Sequence, residues 1–334
     1  MKTIALNKGT LELPDSWEDL TFRQKIYVFG LLREVMSLQL DPTVFRIRVL
    51  GYLTGYKPQS GVFSFMVRGL LYLLAKLFVA LYYRTALGSV RYRAYWQIWK
   101  TNNRPELPDR TIINFNLYRL SEQIDFAFRL EGNNIIPNRV FKRNPVPYIK
   151  INGIKLTGRK FIRDIAPFTN ITGREFSDCF DLLMGYSTLR DSEEKEKCID
   201  RIISILYPCT GDYNENMVSG HAELIAGIDP GLKFGIFQWF IGIAEYYFTH
   251  PYYSILFRSG AGDDNPGRIS LGMNEVTLMV ANKGYRETDN LNNFFDAQIK
   301  ILKDRIADAI GRGAKKEELA KSLNMDISDL NKLL

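Results

Sequence analysis

Two stretches of the chain carry the same local pattern 151 residues apart. Thr21-Phe22-Arg23-Gln24 and Thr172-Gly173-Arg174-Glu175 both read as capping boxes. In each, the threonine hydroxyl takes an orphan N–H of the first helical turn, and the Gln or Glu three residues on reaches back to the cap. Phe29 and Phe180 follow their threonines at the same distance, Leu31-Leu32 matches Leu182-Leu183, and Tyr56-Lys57-Pro58 matches Tyr207-Pro208. After Thr21, the residues Phe22, Ile26, Phe29, Leu32 and Met36 recur at helical spacing and define one apolar face. A hairpin precedes each helical pair. Residues 3–6 and 10–13 flank Asn7-Lys8-Gly9, and residues 148–151 and 154–156 flank Asn152-Gly153, the strongest short turn signal. The pattern predicts a duplicated unit, a hairpin followed by a capped helical pair.

Between the copies, residues 111–131 have a helical period, and residues 132–147 form a polar, Pro- and Asn-rich connection. Residues 230–248 read as an aromatic helix whose Phe234, Phe237, Phe240 and Tyr247 are core. Residues 258–272 read as a loop, and the remainder is helical with a break near Gly311 and Gly313. The expected fold is mainly α with short β-hairpins: two related (duplicated) helical domains plus a C-terminal helical extension. The expected boundaries are 1–132 for a hairpin plus a basic, aromatic-rich helical domain and 133–147 for a linker. Residues 148–285 make the second hairpin-plus-helices domain, and residues 286–334 the C-terminal helices. At 334 residues, two domains are also what length alone suggests.

Residues 61–84 are the most hydrophobic part of the chain, but Arg68 and Lys76 divide them into uncharged runs of seven residues. A spanning helix needs about 20 mostly apolar residues. Arg68, Tyr72 and Lys76 fall on one stripe of a helix, so the segment reads as a largely buried bundle helix with a narrow polar edge. The opening residues show no apolar signal core, and the chain reads as folded protein from its start. Three cysteines, Cys179, Cys198 and Cys209, without C-x-x-C spacing fit reduced thiols better than a disulfide framework.

The net charge of +7 hides an asymmetry. Residues 1–150 hold 22 Lys/Arg against 11 Asp/Glu, whereas residues 151–334 hold 22 against 26. Residues 42–105 contain no acidic side chain at all, with ten basic residues and thirteen interleaved aromatics. Such a field attracts anions: acidic protein faces, nucleic acid or anionic lipid. Its densest part supplies the candidate partner-binding residues Arg91, Arg93, Tyr95, Trp96, Trp99 and Lys100.

Catalytic signatures are weak. His221 and His250 lie in unlike contexts with no metal-ligand spacing, and no cysteine sits in a nucleophile motif. No catalytic residue, metal ligand or cofactor is assigned. The loop 259–268, with Asp263 and Asp264, lacks the spacing of a P-loop or a calcium loop and reads as a surface connection. Residues 315–334 imitate a helix-turn-helix. The second helix, however, presents Asp326 and Asp329 where a groove reader wants Arg, Lys, Asn or Gln, so a packing or docking hairpin is expected.

Several short strings resemble proteins encoded in the tail-assembly region of tailed bacteriophages and prophages of Bacteroidetes-type hosts. They are Leu13 to Thr21 (LPDSWEDLT), Leu120 to Phe126, Asn170 to Phe176, Ile205 to Pro208 and Leu271 to Ala281. The resemblance implies a tail-assembly chaperone or virion accessory protein and brings no catalytic residue. The expected function is non-enzymatic binding of other phage structural or tail proteins, with self-association among the partners. The expected location is the host cytoplasm during assembly, or the virion. The rival reading is a peripheral nucleic-acid- or membrane-surface-binding protein that uses the same acid-free segment.

Overall fold

The computed structural model describes residues 1–6, 9–54, 119–132, 134–164, 167–209, 213–257, 289–322 and 326–334. Among these the chain is mostly helical, with short antiparallel two-stranded pairings. It divides into two compact units. One comprises Met1–Asp15 and Glu34–Ile135, the other Ser16–Arg33 and Ile136–Leu334.

The first unit opens on the expected hairpin. Strand β1 (Lys2–Leu6) pairs antiparallel with β2 (Gly9–Leu13), with Lys2 opposite Leu13 and Leu6 opposite Gly9. Helix α1 (Phe22–Met36) ends in this unit, and α2 (Pro42–Thr54) follows. Asp41 starts α2 by accepting the N–H groups of Thr43 at 2.7 Å and Val44 at 3.3 Å. Pro42 opens the helix, where no donor is needed. Phe45, Val49 and Leu50 are buried, and Phe45 meets Phe128 edge to face at 5.2 Å.

The helical period of residues 111–131 does not persist to its end. Phe128–Glu131 is a strand (β3) that pairs with β4 (Asn134–Pro137), inside the stretch expected to be a loop. The apparent period has another cause. Ile124, Phe126, Ala127 and Phe128 are all buried, though only Phe128 of them lies in the strand, and Gly132 follows the strand at φ 60°.

The second unit is anchored at its start by Trp17, which is 1% exposed. Its ring stacks on Phe29 at 4.7 Å and lies 5.4 Å from Phe141, while Nε1 donates to the Asn138 carbonyl at 2.8 Å. Burying so large a ring is favourable only because its one polar atom is satisfied. The second hairpin, β5 (Tyr148–Ile151) and β6 (Ile154–Thr157), turns through Asn152 at φ 49° and Gly153 at φ 82°. Two positive φ values in succession are what a tight type I′ turn requires. A smaller pair, β7 (Phe161–Ile162) and β8 (Phe168–Thr169), follows.

Helices α3 (Gly173–Thr188), α4 (Ser192–Leu206), α5 (Val218–Ile225) and α6 (Pro230–Thr249) form the body of this unit. Both expected capping boxes are present. Thr172 N–H donates to Glu175 at 2.9 Å and Glu175 N–H to the Thr172 hydroxyl at 3.2 Å; Thr21 and Gln24 do the same at 2.8 and 3.4 Å. Glu175 has a second role. Its side chain is fully buried and takes the Arg159 guanidinium at 2.8 and 2.5 Å, while the Arg159 N–H donates to the Leu206 carbonyl at 2.8 Å. One carboxylate thus links the start of α3 to the segment that crosses the end of α4.

Helix α6 is buried on most sides, which its nearly continuous apolar sequence allows. Its glycines admit close neighbours: any Cβ at Gly235 would strike the Phe29 ring, and one at Gly242 the Arg139 backbone carbonyl. Helix α7 (Leu291–Gly311) is joined to the start of α3 by Leu291 N–H to Ile171 O at 2.8 Å and Gly173 N–H to Asp289 O at 3.1 Å. Phe176, Phe240, Tyr247 and Phe295 make the aromatic centre of this unit. After Gly313 at φ 93°, α8 (Lys316–Ser322) and α9 (Ile327–Leu333) form the expected C-terminal helical hairpin, with Ala320 and Leu330 buried. No helix among the described residues is long and apolar enough to cross a membrane.

Candidate functional site

Arg91, Arg93, Tyr95, Trp96, Trp99 and Lys100 lie outside the described residues, as do residues 61–84 and the loop with Asp263 and Asp264. Within the described residues the chemistry-bearing groups fall into three settings.

The first is a pair of buried ion pairs that hold the helices of the second unit. Arg159–Glu175 is one. The other is Lys233 Nζ on Asp200 at 2.5 Å, with both side chains below a tenth exposed. Burial raises the Asp200 carboxyl, and the ammonium of Lys233 pulls it back. Each charge is answered by its partner, as buried charges must be.

The second is a polar cluster on the outer side of α3. Tyr213 donates its hydroxyl to Asp178, and Arg174 pairs with Glu215 at 2.5 Å. The Arg174 guanidinium also lies 6.0 Å from the centre of the Tyr213 ring. Burial raises the half-buried Asp178 carboxyl, against the pull of Tyr213 and Arg174. The Tyr213 hydroxyl is raised above its ordinary range, first by burial and then by the carboxylate it bonds. These contacts fasten residues 213–215 to α3.

The third is a small cavity of about 30 Å³ beneath that fastened segment. Ser204 and Pro208 close it at the end of α4, Cys209, Tyr213 and Asn214 come from the connection, and Met217, Val218 and His221 from the start of α5. Its walls are fixed from several directions. The Ser204 hydroxyl donates to the Val218 carbonyl at 3.1 Å, and Asn214 caps the one-turn helix Glu215–Met217. His221 is 8% exposed. The Ser204 backbone hydrogen-bonds the ring, yet Nε2 is buried with no hydrogen-bond partner among the described residues. Burial lowers the His221 pKa, which favours the neutral ring. Cys209 is exposed at the mouth, and Met217 is 51% exposed.

His250 is elsewhere, between the rings of Tyr246 and Tyr253, with Nδ1 accepting the Tyr252 N–H at 3.2 Å. Cys179 is buried, and its thiol is pushed far up by burial. Among the described residues no group of three or more His, Cys, Asp or Glu side chains is placed to hold a metal ion. Sequence reasoning singled out none of the cavity residues together. The one available signal was Met217 and His221 at the i, i+4 spacing of a helix face.

The sequence matches no protein-family model, no curated protein and no solved structure.

Proposed function

We propose that this chain is a non-enzymatic bacteriophage tail-assembly or virion-associated protein that works by binding other structural proteins. The observation that carries the reading is the segment 42–105, with ten basic side chains, thirteen aromatics and no acid. Aromatic side chains with arginine among them are the composition of protein-binding hot spots, and the uniform charge selects an acidic partner. Arg91, Arg93, Tyr95, Trp96, Trp99 and Lys100 are the proposed contacts. The phage resemblance supports the same class. The residues that carry it are scaffold residues: Trp17 is a buried anchor, Thr172 to Glu175 a helix cap, and Tyr207 a buried ring whose hydroxyl donates to the Val146 carbonyl.

We read the two capped helical pairs as copies of one unit. Helices α1 and α3 begin 151 residues apart at equivalent caps, and α2 and α4 follow after short connections. Such doubling supplies two similar building faces from one gene product. The proposed location is the host cytoplasm during assembly, or the particle itself.

The test uses the full chain with the purified products of the neighbouring tail genes, tail tube and tape measure among them, in pairwise co-elution. Stable co-elution with one of them, lost in Arg91→Ala/Arg93→Ala/Lys100→Ala, is the expected result. A triple variant that keeps every partner overturns the assigned contacts, and the absence of any tail-protein complex overturns the class. A nucleic-acid- or membrane-surface-binding protein is the second reading, favoured by the same run of basic residues.

A further inference from the structure

The cavity at the end of α4 collects three side chains with soft or borderline metal-donor atoms: Cys209, Met217 and His221. We propose that they form a binding site for a single soft monovalent cation, copper(I), through Cys209 Sγ, Met217 Sδ and His221 Nε2. The inference is independent of the assembly reading.

A ring nitrogen that is buried and unpaired loses its hydration without compensation. His221 Nε2 is such an atom, in a ring only 8% exposed that lines the cavity. The Ser204 backbone hydrogen-bonds the ring while Nε2 stays unpartnered, and an orienting contact of this kind accompanies metal-ligating histidines. A lone pair on that nitrogen needs either a donor or a cation.

The remaining donors select the cation. Thiolate and thioether sulfur favour copper(I), whereas zinc(II) is held in structural sites by four ligands and in catalytic sites by three plus water. Among the described residues no further His, Cys, Asp or Glu completes a zinc set here. Charge gives the same answer. Binding follows Cys–SH + Cu⁺ → Cys–S–Cu + H⁺, while His221 and Met217 donate neutral lone pairs. The loaded site is therefore uncharged, which suits a half-buried cavity better than the residual positive charge a divalent ion would leave. The volume of about 30 Å³ suits one ion or one water. Tyr213 and Glu215, on either side of the cavity-lining Asn214, are fastened to α3.

The test titrates the full reduced chain, without oxygen, against the copper(I)–bicinchoninate complex. The expected result is one equivalent of copper withdrawn, with about one proton released per ion in weak buffer. Cys209→Ser abolishes the withdrawal, and Cys198→Ser leaves it intact. Met217→Leu weakens it by at least about tenfold, since even the outer-shell partners of metal ligands are worth that much. His221→Gln removes it as well, with circular dichroism reporting whether the variant folds. Should that variant unfold, the two exposed positions Cys209 and Met217 decide. Failure to withdraw copper, or equal withdrawal by Cys209→Ser, overturns the site. Zinc(II) bound in preference to copper(I) overturns the assignment of the ion.

Discussion

Single side chains in the second unit are held under opposing constraints, and two of them make the balance measurable. Lys233 and Asp200 are each less than a tenth exposed and 2.5 Å apart. Lys233→Met leaves a carboxylate buried without its cation, and the expected loss is about 3–5 kcal/mol in urea unfolding. Adding Asp200→Leu removes the stranded charge, so the double variant recovers most of that loss. A double variant as unstable as the single one would mean that shape, not charge, holds this position. Asp178 tests pH. Burial raises its carboxyl, so the folded chain keeps that proton at pH values where the unfolded chain has released it. Stability from this group is therefore full below about pH 4 and declines as pH rises through the raised value. Asp178→Asn still accepts from the Tyr213 hydroxyl and does not titrate. It is expected to match the native chain near pH 4 and to exceed it progressively toward neutrality, and parallel profiles would refute this. Little at this scale was readable beforehand. Lys233 and Asp200 stand on different helices with no spacing that links them. Met217 and His221 share a helical period, but Cys209 joins them only in the lining of one cavity, which no local spacing announces.

Elements were more legible than residues, and for a local reason. A capping box and an Asn-Gly turn act within four residues, so Thr172 to Glu175 and Asn152-Gly153 both appear where the sequence places them. The break at Gly313 and the aromatic helix 230–249 are equally local. Strand β3 was missed because burial, not helical geometry, sets the spacing of Ile124, Ala127 and Phe128. The caps are expected to differ in strength. At Thr172 the hydroxyl accepts at 3.2 Å within a box whose glutamate is also buried and ion-paired; at Thr21 the equivalent bond is 3.4 Å long and exposed. Thr172→Ala should cost about 1 kcal/mol and Thr21→Ala less. Amide hydrogen exchange in the first turns of α3 and α1, both within the second unit, reads each loss separately. Equal effects at the two caps would show that the glutamate's ion pair adds nothing to the capping.

At the level of the whole molecule, the sequence speaks most clearly through charge. The basic excess of residues 1–150 and the slight acidic excess of residues 151–334 need no coordinates. Charge alone does not choose between an acidic protein, a nucleic acid and a lipid surface, because all three present anions to the same arginines. Salt separates them. A polyphosphate holds condensed counterions that binding releases, so a surface that neutralises 6–10 phosphates loses about 10³–10⁵ in affinity between about 50 and 200 mM salt. A protein interface built on aromatic anchors keeps its buried contacts when charge is screened, and salt chiefly slows its association. With ten basic residues in segment 42–105, the two regimes are far apart. The complex with the tail-protein partner is expected to weaken by no more than about tenfold over that range, by titration calorimetry or fluorescence anisotropy. Binding of a single-stranded oligonucleotide or of anionic vesicles, measured with the same protein, should be absent at 200 mM salt. Tight oligonucleotide or vesicle binding at low salt, with the steep slope of counterion release and no tail-protein complex, would transfer the segment to the rival reading. The triple variant at Arg91, Arg93 and Lys100 would then be expected to lower that slope by about three.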